Sequence, residues 1–440
     1  MTLLVISPDY ASHLLPLATL ATAWRDRGER VVVASGPATA GIVDAFGLER
    51  RELRLGRGSN PGVIRAEDQP VDEGASLRGF FAATREGAVP TLRYQAAERL
   101  TDLMWEPVQS ARATQRIVEE VRPDEVLVDH LAFNARLGLA TAGVPYGDVV
   151  LGHPSALPVG DEVYGLPPEW PSAVRPDPDE LADLRALCER VSNRFADEWN
   201  RAARELDPAF PTTADAFAEH GPLVLYNSPS ELADPARGPL LPPHRFLGSA
   251  LREEPEDREI ADWSETAGRF VYVSFGSFLS VRADVLRRVA DALRSLGLRA
   301  AIATGSADPG ELGELPGDWL VRPYLPQVRL LRAASAAVTH GGNNSVTEAL
   351  GCGVPLVVLP FSTDQFAGAA AIERSGMGVA LDPNAAAAGD LADALARVLD
   401  LDREARDRLD ALAARQAARP GPEVAFEALA EQPEAAERAS

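Results

Sequence analysis

The chain has no lysine: all 43 of its basic residues are arginine, set against 65 acidic ones. A Schiff-base lysine, a P-loop lysine and a lysine general base are therefore excluded. Thiols are scarce too. Cys188 and Cys352 lie far apart and outside any C-x-x-C spacing, so neither a disulfide framework nor a structural zinc site is expected. The apolar run Leu3 to Ile6 is too short for a membrane span and has no basic segment before it. A soluble, cytoplasmic protein is expected. The net charge of −22 repels phosphate polymers and anionic surfaces, so nucleic acid and membranes are not expected partners. The first strand-to-helix turn, Ser7-Pro-Asp-Tyr-Ala-Ser12, lacks glycine, which argues against a dinucleotide oxidoreductase.

The rest of the composition is that of a globular protein. Hydrophobic residues make up 46% and charged residues 25% of 440, which predicts a sizeable core and two or three domains. Short apolar runs alternate with helical patterns: a strand over Leu3 to Ile6, a helix over Leu14 to Arg27 stopped by Gly28, a strand over Arg30 to Ala34. Val126 to Val128 and Pro222 to Leu225 read as further buried strands. From Gly238 to Asp262 the periodicity lapses into prolines and acidic residues, a linker. The alternation restarts with a strand at Phe270 to Ser274, a helix at Ala283 to Leu296, and strands at Arg299 to Thr304, Ala336 to Thr339 and Pro355 to Leu359. The expectation is α/β: two Rossmann-like doubly wound domains, residues 1–237 and 263–440, joined by the linker 238–262 and facing a central cleft. The acidic, alanine-rich tail from Arg419 starts as a helix that can pack back on the N-terminal domain.

The densest chemical signal is Val338-Thr-His-Gly-Gly-Asn-Asn-Ser-Val-Thr-Glu-Ala-Leu350. A strand ends, two glycines turn the chain, and a helix starts. Glycine permits tight or positive-φ backbone, and a fresh helix N-terminus offers free N–H groups to a diphosphate. Such a turn can equally be a plain βα cap. The neighbouring segments raise its interest. Tyr324 can stack on a base, Asp364 and Gln365 can bind sugar hydroxyls, and Ser274-Phe-Gly-Ser277 ends another strand. All leave the carboxyl ends of parallel strands, where ligands sit in open α/β sheets.

The stretch from Tyr324 to Gln365 resembles the C-terminal signature of the GT-B fold, nucleotide-sugar-dependent glycosyltransferases, the group of bacterial antibiotic and macrolide enzymes and plant natural-product glucosyltransferases. The N-terminal half is similar at two short places only. The resemblance implies a UDP- or TDP-sugar donor. It assigns base contacts to Tyr324 and the Leu325 backbone, the ribose to Gln327 and Glu348, the diphosphate to Ser277, His340, Gly342, Asn344 and Ser345, and the sugar to Asp364 and Gln365. Tyrosine at 324 and asparagine at 343 depart from the plant pattern.

In the N-terminal half, Ser12-His-Leu-Leu-Pro16 is similar to the family's His-x-x-Pro element. His13, at a helix N-terminus whose dipole disfavours its charged form, is the candidate base. Asp129 matches the aspartate that orients it, although a strand-end aspartate can also merely cap a helix; His130 competes as the base. The implied reaction is an inverting, metal-independent transfer of a hexosyl-type group to a hydroxyl of a small apolar natural product, without a cofactor. The D-x-D at Asp177 to Asp179 reads as a loop. Phe80, Phe81, Tyr94, Trp105, Tyr146, His153, Tyr164 and Trp170 are core or acceptor-pocket candidates. A GT-B sugar-nucleotide epimerase and a non-catalytic sugar-nucleotide binder are the alternatives; a lipid-acceptor enzyme is disfavoured by the charge.

Overall fold

Buried aliphatic runs become strands throughout. In β1 (Thr2–Ile6) the last four residues are wholly buried, as is usual for a strand covered on both faces. The computed structural model describes residues 1–62, 71–266 and 268–431, with the backbone only at 72, 99–102 and 277. Among these residues the first sheet also holds β2 (Arg30–Ser35), β3 (Glu49–Glu52), β4 (Glu125–Asp129), β5 (Gly147–Val150), β6 (Leu223–Tyr226) and β7 (His244–Phe246). Its order is β3-β2-β1-β4-β5-β6-β7, and every pairing is parallel.

The second sheet holds β8 (Phe270–Ser274), β9 (Arg299–Ala303), β10 (Leu320–Arg322), β11 (Ala336–Thr339), β12 (Leu356–Val358) and β13 (Gly378–Ala380). It is also all parallel, in the order β10-β9-β8-β11-β12-β13. Amphipathic helices cover it; Ala283–Ser295 buries Val285, Leu286, Val289, Ala292 and Leu293 along one stripe. The strand order of each sheet reverses once, between β1 and β4 in the first and between β8 and β11 in the second. Those reversals open the crevices in which α/β sheets bind ligands.

The passage from Gly238 to Asp262 contains more structure than its lack of periodicity suggests. β7 lies inside it, pairs with β6 and so belongs to the first sheet. A three-residue strand preceded by two prolines is too short to show alternation. The C-terminal helix Gly421–Ala430 lies against helix Ala11–Arg25 of the first half: Phe426 meets Trp24 edge-on at 5.1 Å, and Val424, Ala425, Ala428 and Leu429 join the core built on Leu3 and Val5. Among the described residues no helix is long and apolar enough to cross a membrane.

Candidate active site

The loops at the two reversal points line one cavity of about 520 Å3 between the halves. His13, which follows β1, and Asp129, which ends β4, come from the first sheet; His340, Gly342, Asn344 and Ser345, which follow β11, come from the second, together with Asp364 and Gln365 beyond β12.

Tyr10 is extended and ends the loop after β1, and the His13 amide donates to the Tyr10 carbonyl at 3.0 Å. The helix therefore starts at Ala11, three residues earlier than the apolar pattern suggests, and His13 sits in its first turn. His13 Nδ1 is 2.6 Å from Asp129 Oδ2. The other Asp129 oxygen accepts from the Leu131 amide at 2.8 Å, which fixes the buried carboxylate. With Nδ1–H donated to Asp129, Nε2 is the basic nitrogen. Burial lowers the His13 pKa, but the charge and hydrogen bond of Asp129, with Asp364 nearby, outweigh burial and raise it above the ordinary value. This corrects the expectation that the helix dipole keeps His13 neutral: two carboxylates act more strongly than partial charges at a helix end.

His130 does not share Asp129. Its Nδ1 faces Asp148 at 3.0 and 3.1 Å, and Asp148 is 3.3 Å from Arg136, all three side chains being buried. Burial, reinforced by Arg136 and opposed by Asp148, lowers the His130 pKa. His130 is thus a neutral imidazole with Nδ1–H given to Asp148, and its Nε2 has no partner among the described residues.

His340 is neutral as well, since burial brings its pKa down to about 4. Glycine is required on both sides of its ring. A Cβ at Gly342 would lie 2.4 Å from His340 Nε2, and one at Gly276, where φ is +67°, would lie 2.9 Å from Cε1. Gly342 also precedes helix Asn343–Gly351 and, having no side chain, leaves the first-turn N–H groups uncapped and open to an anion. The Ser277 side chain lies outside the described residues.

Asn344 departs from expectation. Its amide donates to the Ser12 carbonyl at 2.7 Å and accepts from Asn227 at 3.2 Å, so it ties the two halves together and is not free for a diphosphate. Asn343 does the same through the Leu151 and Asn227 carbonyls. Asp364 also reaches across, accepting from the His153 amide. The preceding Thr363 is held at φ +52°, a strained turn that aims Asp364 into the cleft. Gln365 accepts from the Phe361 and Ser362 amides at 3.0 and 3.2 Å, which leaves its NH2 as its available donor.

The expected base and ribose contacts lie outside this cavity. Tyr324 is 65% exposed while Leu325 is buried. Gln327 Nε2 donates to Glu348 at 2.6 Å, and Arg252 holds the other Glu348 oxygen while pairing with Glu254. Burial raises the Glu348 pKa; Arg252 and Gln327 oppose it. Arg252, in the non-periodic linker, gave no sequence signal.

Of the aromatic candidates, Phe80, Tyr94 and Tyr164 line the cavity. Phe81 and Tyr146 are buried, His153 binds Ser155, the Trp105 carbonyl accepts from Ser110 and Asn134, and Trp170 packs on Phe366. Tyr10 and Phe278 were missed; they stack across the cleft at 6.3 Å, and their only sequence signal is adjacency to the His13 and Ser274–Ser277 loops. Asp177 is not in a free loop. It caps the helix Pro178–Leu206, accepting from the Asp179 and Glu180 amides.

The family model described as UDP-glucoronosyl and UDP-glucosyl transferase matches residues 184–420. The uncharacterized UDP-glucosyltransferase YojK of Bacillus subtilis (strain 168) is 29% identical over 134 residues, 30% of this chain and 33% of that protein, so the chain spans about a third of that relative. The 4'-demethylrebeccamycin synthase of Lentzea aerocolonigenes is 28% identical over 411 residues, 90% of this chain and 91% of that one. Among solved structures, the spinosyn rhamnosyltransferase SpnG complexed with thymidine diphosphate superposes with a TM-score of 0.63 at 19% identity, over 98% of this chain and 100% of that one. The fold is GT-B: two parallel sheets with flanking helices facing a cleft.

Proposed function

The chain belongs to the UDP-glucoronosyl and UDP-glucosyl transferase family, and on that premise we propose that it transfers a sugar from a UDP- or TDP-sugar to a hydroxyl of an apolar natural product, with inversion and without a metal or cofactor. The observation that carries this is the shared cavity: a carboxylate-backed imidazole from one half and a glycine-flanked imidazole with an uncapped helix N-terminus from the other. The solved relative complexed with thymidine diphosphate supports a nucleoside-diphosphate ligand.

In this reading His13 Nε2 takes the proton of the acceptor hydroxyl as its oxygen attacks the anomeric carbon. Asp129 holds the ring and stabilises the imidazolium that forms. Negative charge grows on the departing diphosphate, and the first-turn N–H groups after Gly342, with Ser345 and the neutral His340 N–H, meet it. Asp364 and Gln365 face the sugar. Tyr324, Leu325, Gln327 and Glu348 would take the nucleoside, which requires Arg252 either to move from Glu348 or to join the contact. Asn344 acts on the diphosphate only if the halves part at Ser12. The test is a thermal shift with UDP, TDP and NAD, followed by product analysis with UDP- and TDP-sugars against a panel of hydroxylated natural products. A shift with UDP or TDP but not NAD, and acceptor-dependent release of the nucleoside diphosphate with an inverted glycoside, is the expected result. Conversion of the donor with no acceptor present would instead indicate an epimerase.

A further inference from the structure

Helices Val71–Glu86 and Ala88–Leu103 supply part of the cavity wall, and with them two carboxylates that the reaction does not use, Glu73 and Glu98. The other charged lining residues are also acidic: Asp129, which holds His13, and Asp364, which accepts from the His153 amide and faces the sugar in the proposed transfer. No arginine lines the cavity among the described residues.

Each unused carboxylate stands near a tyrosine hydroxyl. A Cβ at Gly58 would lie 2.6 Å from the Tyr10 hydroxyl and 3.5 Å from Glu73, so both groups border a glycine that leaves the space clear. Glu98 accepts from Ser76 Oγ at 3.3 Å, and the Tyr94 hydroxyl donates to the Ser76 carbonyl at 2.8 Å. A carboxylate attracts a cation by its charge, and a nearby tyrosine oxygen adds an acceptor for ammonium N–H groups.

A second observation is independent of these acids. His130 lines the same cavity, is 1% exposed and has an unpartnered Nε2. Because Nδ1–H is given to Asp148, Nε2 can only accept a hydrogen bond. A buried acceptor left unpaired is costly, and a ligand with a polar hydrogen relieves it. Glu73, Glu98 and His130 Nε2 thus give the lining three acceptors, two of them charged. A neutral ligand of the same shape can return only hydrogen bonds for the water it strips from the two carboxylates, whereas an ammonium returns charge attraction as well.

Resting on the reading that this cavity takes the acceptor, we propose that the acceptor is a cationic amphiphile: an apolar, hydroxylated compound whose protonated amine lies against Glu73 and Glu98, beside Tyr10 and Tyr94, with one of its O–H or N–H groups bonded to His130 Nε2.

The test is calorimetric titration of the full chain with a panel of hydroxylated polycyclic and macrocyclic compounds, each as a primary amine and as its N-acetyl derivative. The amines should bind about tenfold or more tightly than their acetylated partners, the preference should shrink with added salt, and it should vanish in E73Q/E98Q. Gln keeps shape and hydrogen bonding, so loss of the preference alone reports charge. A thermal shift with UDP or TDP shows that the variant is folded. Equal binding of both forms, an unchanged preference in E73Q/E98Q, or no amine binding at all overturns the proposal. If UDP and TDP still bind, the donor reading survives that failure; if they do not, the transferase reading falls with it.

Discussion

His13 Nδ1 and Asp129 Oδ2 meet at 2.6 Å although 116 positions separate them in the chain. The contact exists because β1 and β4 are neighbours in the sheet and each ends at the same crevice. It puts the one partly exposed imidazole of the pair His13 and His130 next to a fixed carboxylate. Replacing His13 by Ala should lower transfer by about a hundred- to ten-thousand-fold, while the thermal shift with UDP or TDP persists. Initial-rate product analysis decides this, and a variant that transfers at the full rate would remove His13 from the mechanism.

Asp129→Asn separates orientation from charge. His13 acts as a base only when unprotonated, and its raised pKa makes activity fall as pH falls through that raised value. Asparagine removes the charge, burial then dominates, and the acid limb of the pH–rate profile should move to lower pH with a reduced plateau. A limb that stays in place would assign the titration to another group. The stability effect has the opposite pH trend. The pair's contribution is fully present below the unfolded value of 6.5 and is lost as pH rises through the raised folded value, so the melting deficit of Asp129→Asn should be larger at acid than at alkaline pH.

Gly342→Ala places a methyl group 2.4 Å from His340 Nε2. The ring must turn away from the helix N-terminus, so nucleoside-diphosphate affinity should drop about tenfold or more while the core is untouched, because His340 sits at the cavity wall. Circular dichroism and UDP or TDP titration together check this. Undiminished affinity would show that His340 takes no part in binding the diphosphate.

Arg252 and Glu348 are a largely buried pair, and Arg252→Ala takes the opposite charge from the Glu348 carboxyl and leaves it only Gln327. Stability should fall by about 3–5 kcal/mol, and Arg252→Ala with Glu348→Gln should recover much of it. Denaturant melts of the single and double variants give the coupling. If the single variants simply add, the pair contributes no interaction of its own.

Much of the architecture was legible in the residues. Runs such as Leu3 to Ile6, Phe270 to Ser274 and Ala336 to Thr339 lie where strands form, and the helix begins where Gly342 ends the turn after His340. Burial on both faces of a parallel strand writes a continuous apolar run, and a turn needing room beside a ring writes glycine, so both are local signals. His13 and Asp129 were singled out through the resemblance to a family's His-x-x-Pro element and its aspartate; their places at a helix start and a strand end alone read equally as ordinary caps.

Contacts across the cleft wrote no such pattern. Asn344 reads as a helix cap, and only folding brings it against the Ser12 carbonyl 332 positions away. Arg252 sits in a stretch without periodicity and is given its place by Glu348. The cavity wall bearing Glu73 and Glu98 reads as ordinary amphipathic helix. The sequence alone determined the strands, the turns and the loops that come to line the cavity, because short-range sterics and hydrophobic period decide those. The tertiary structure decided which polar groups are already paired and which are left facing the cavity, because a hydrogen bond between halves depends on how two separately folded sheets meet.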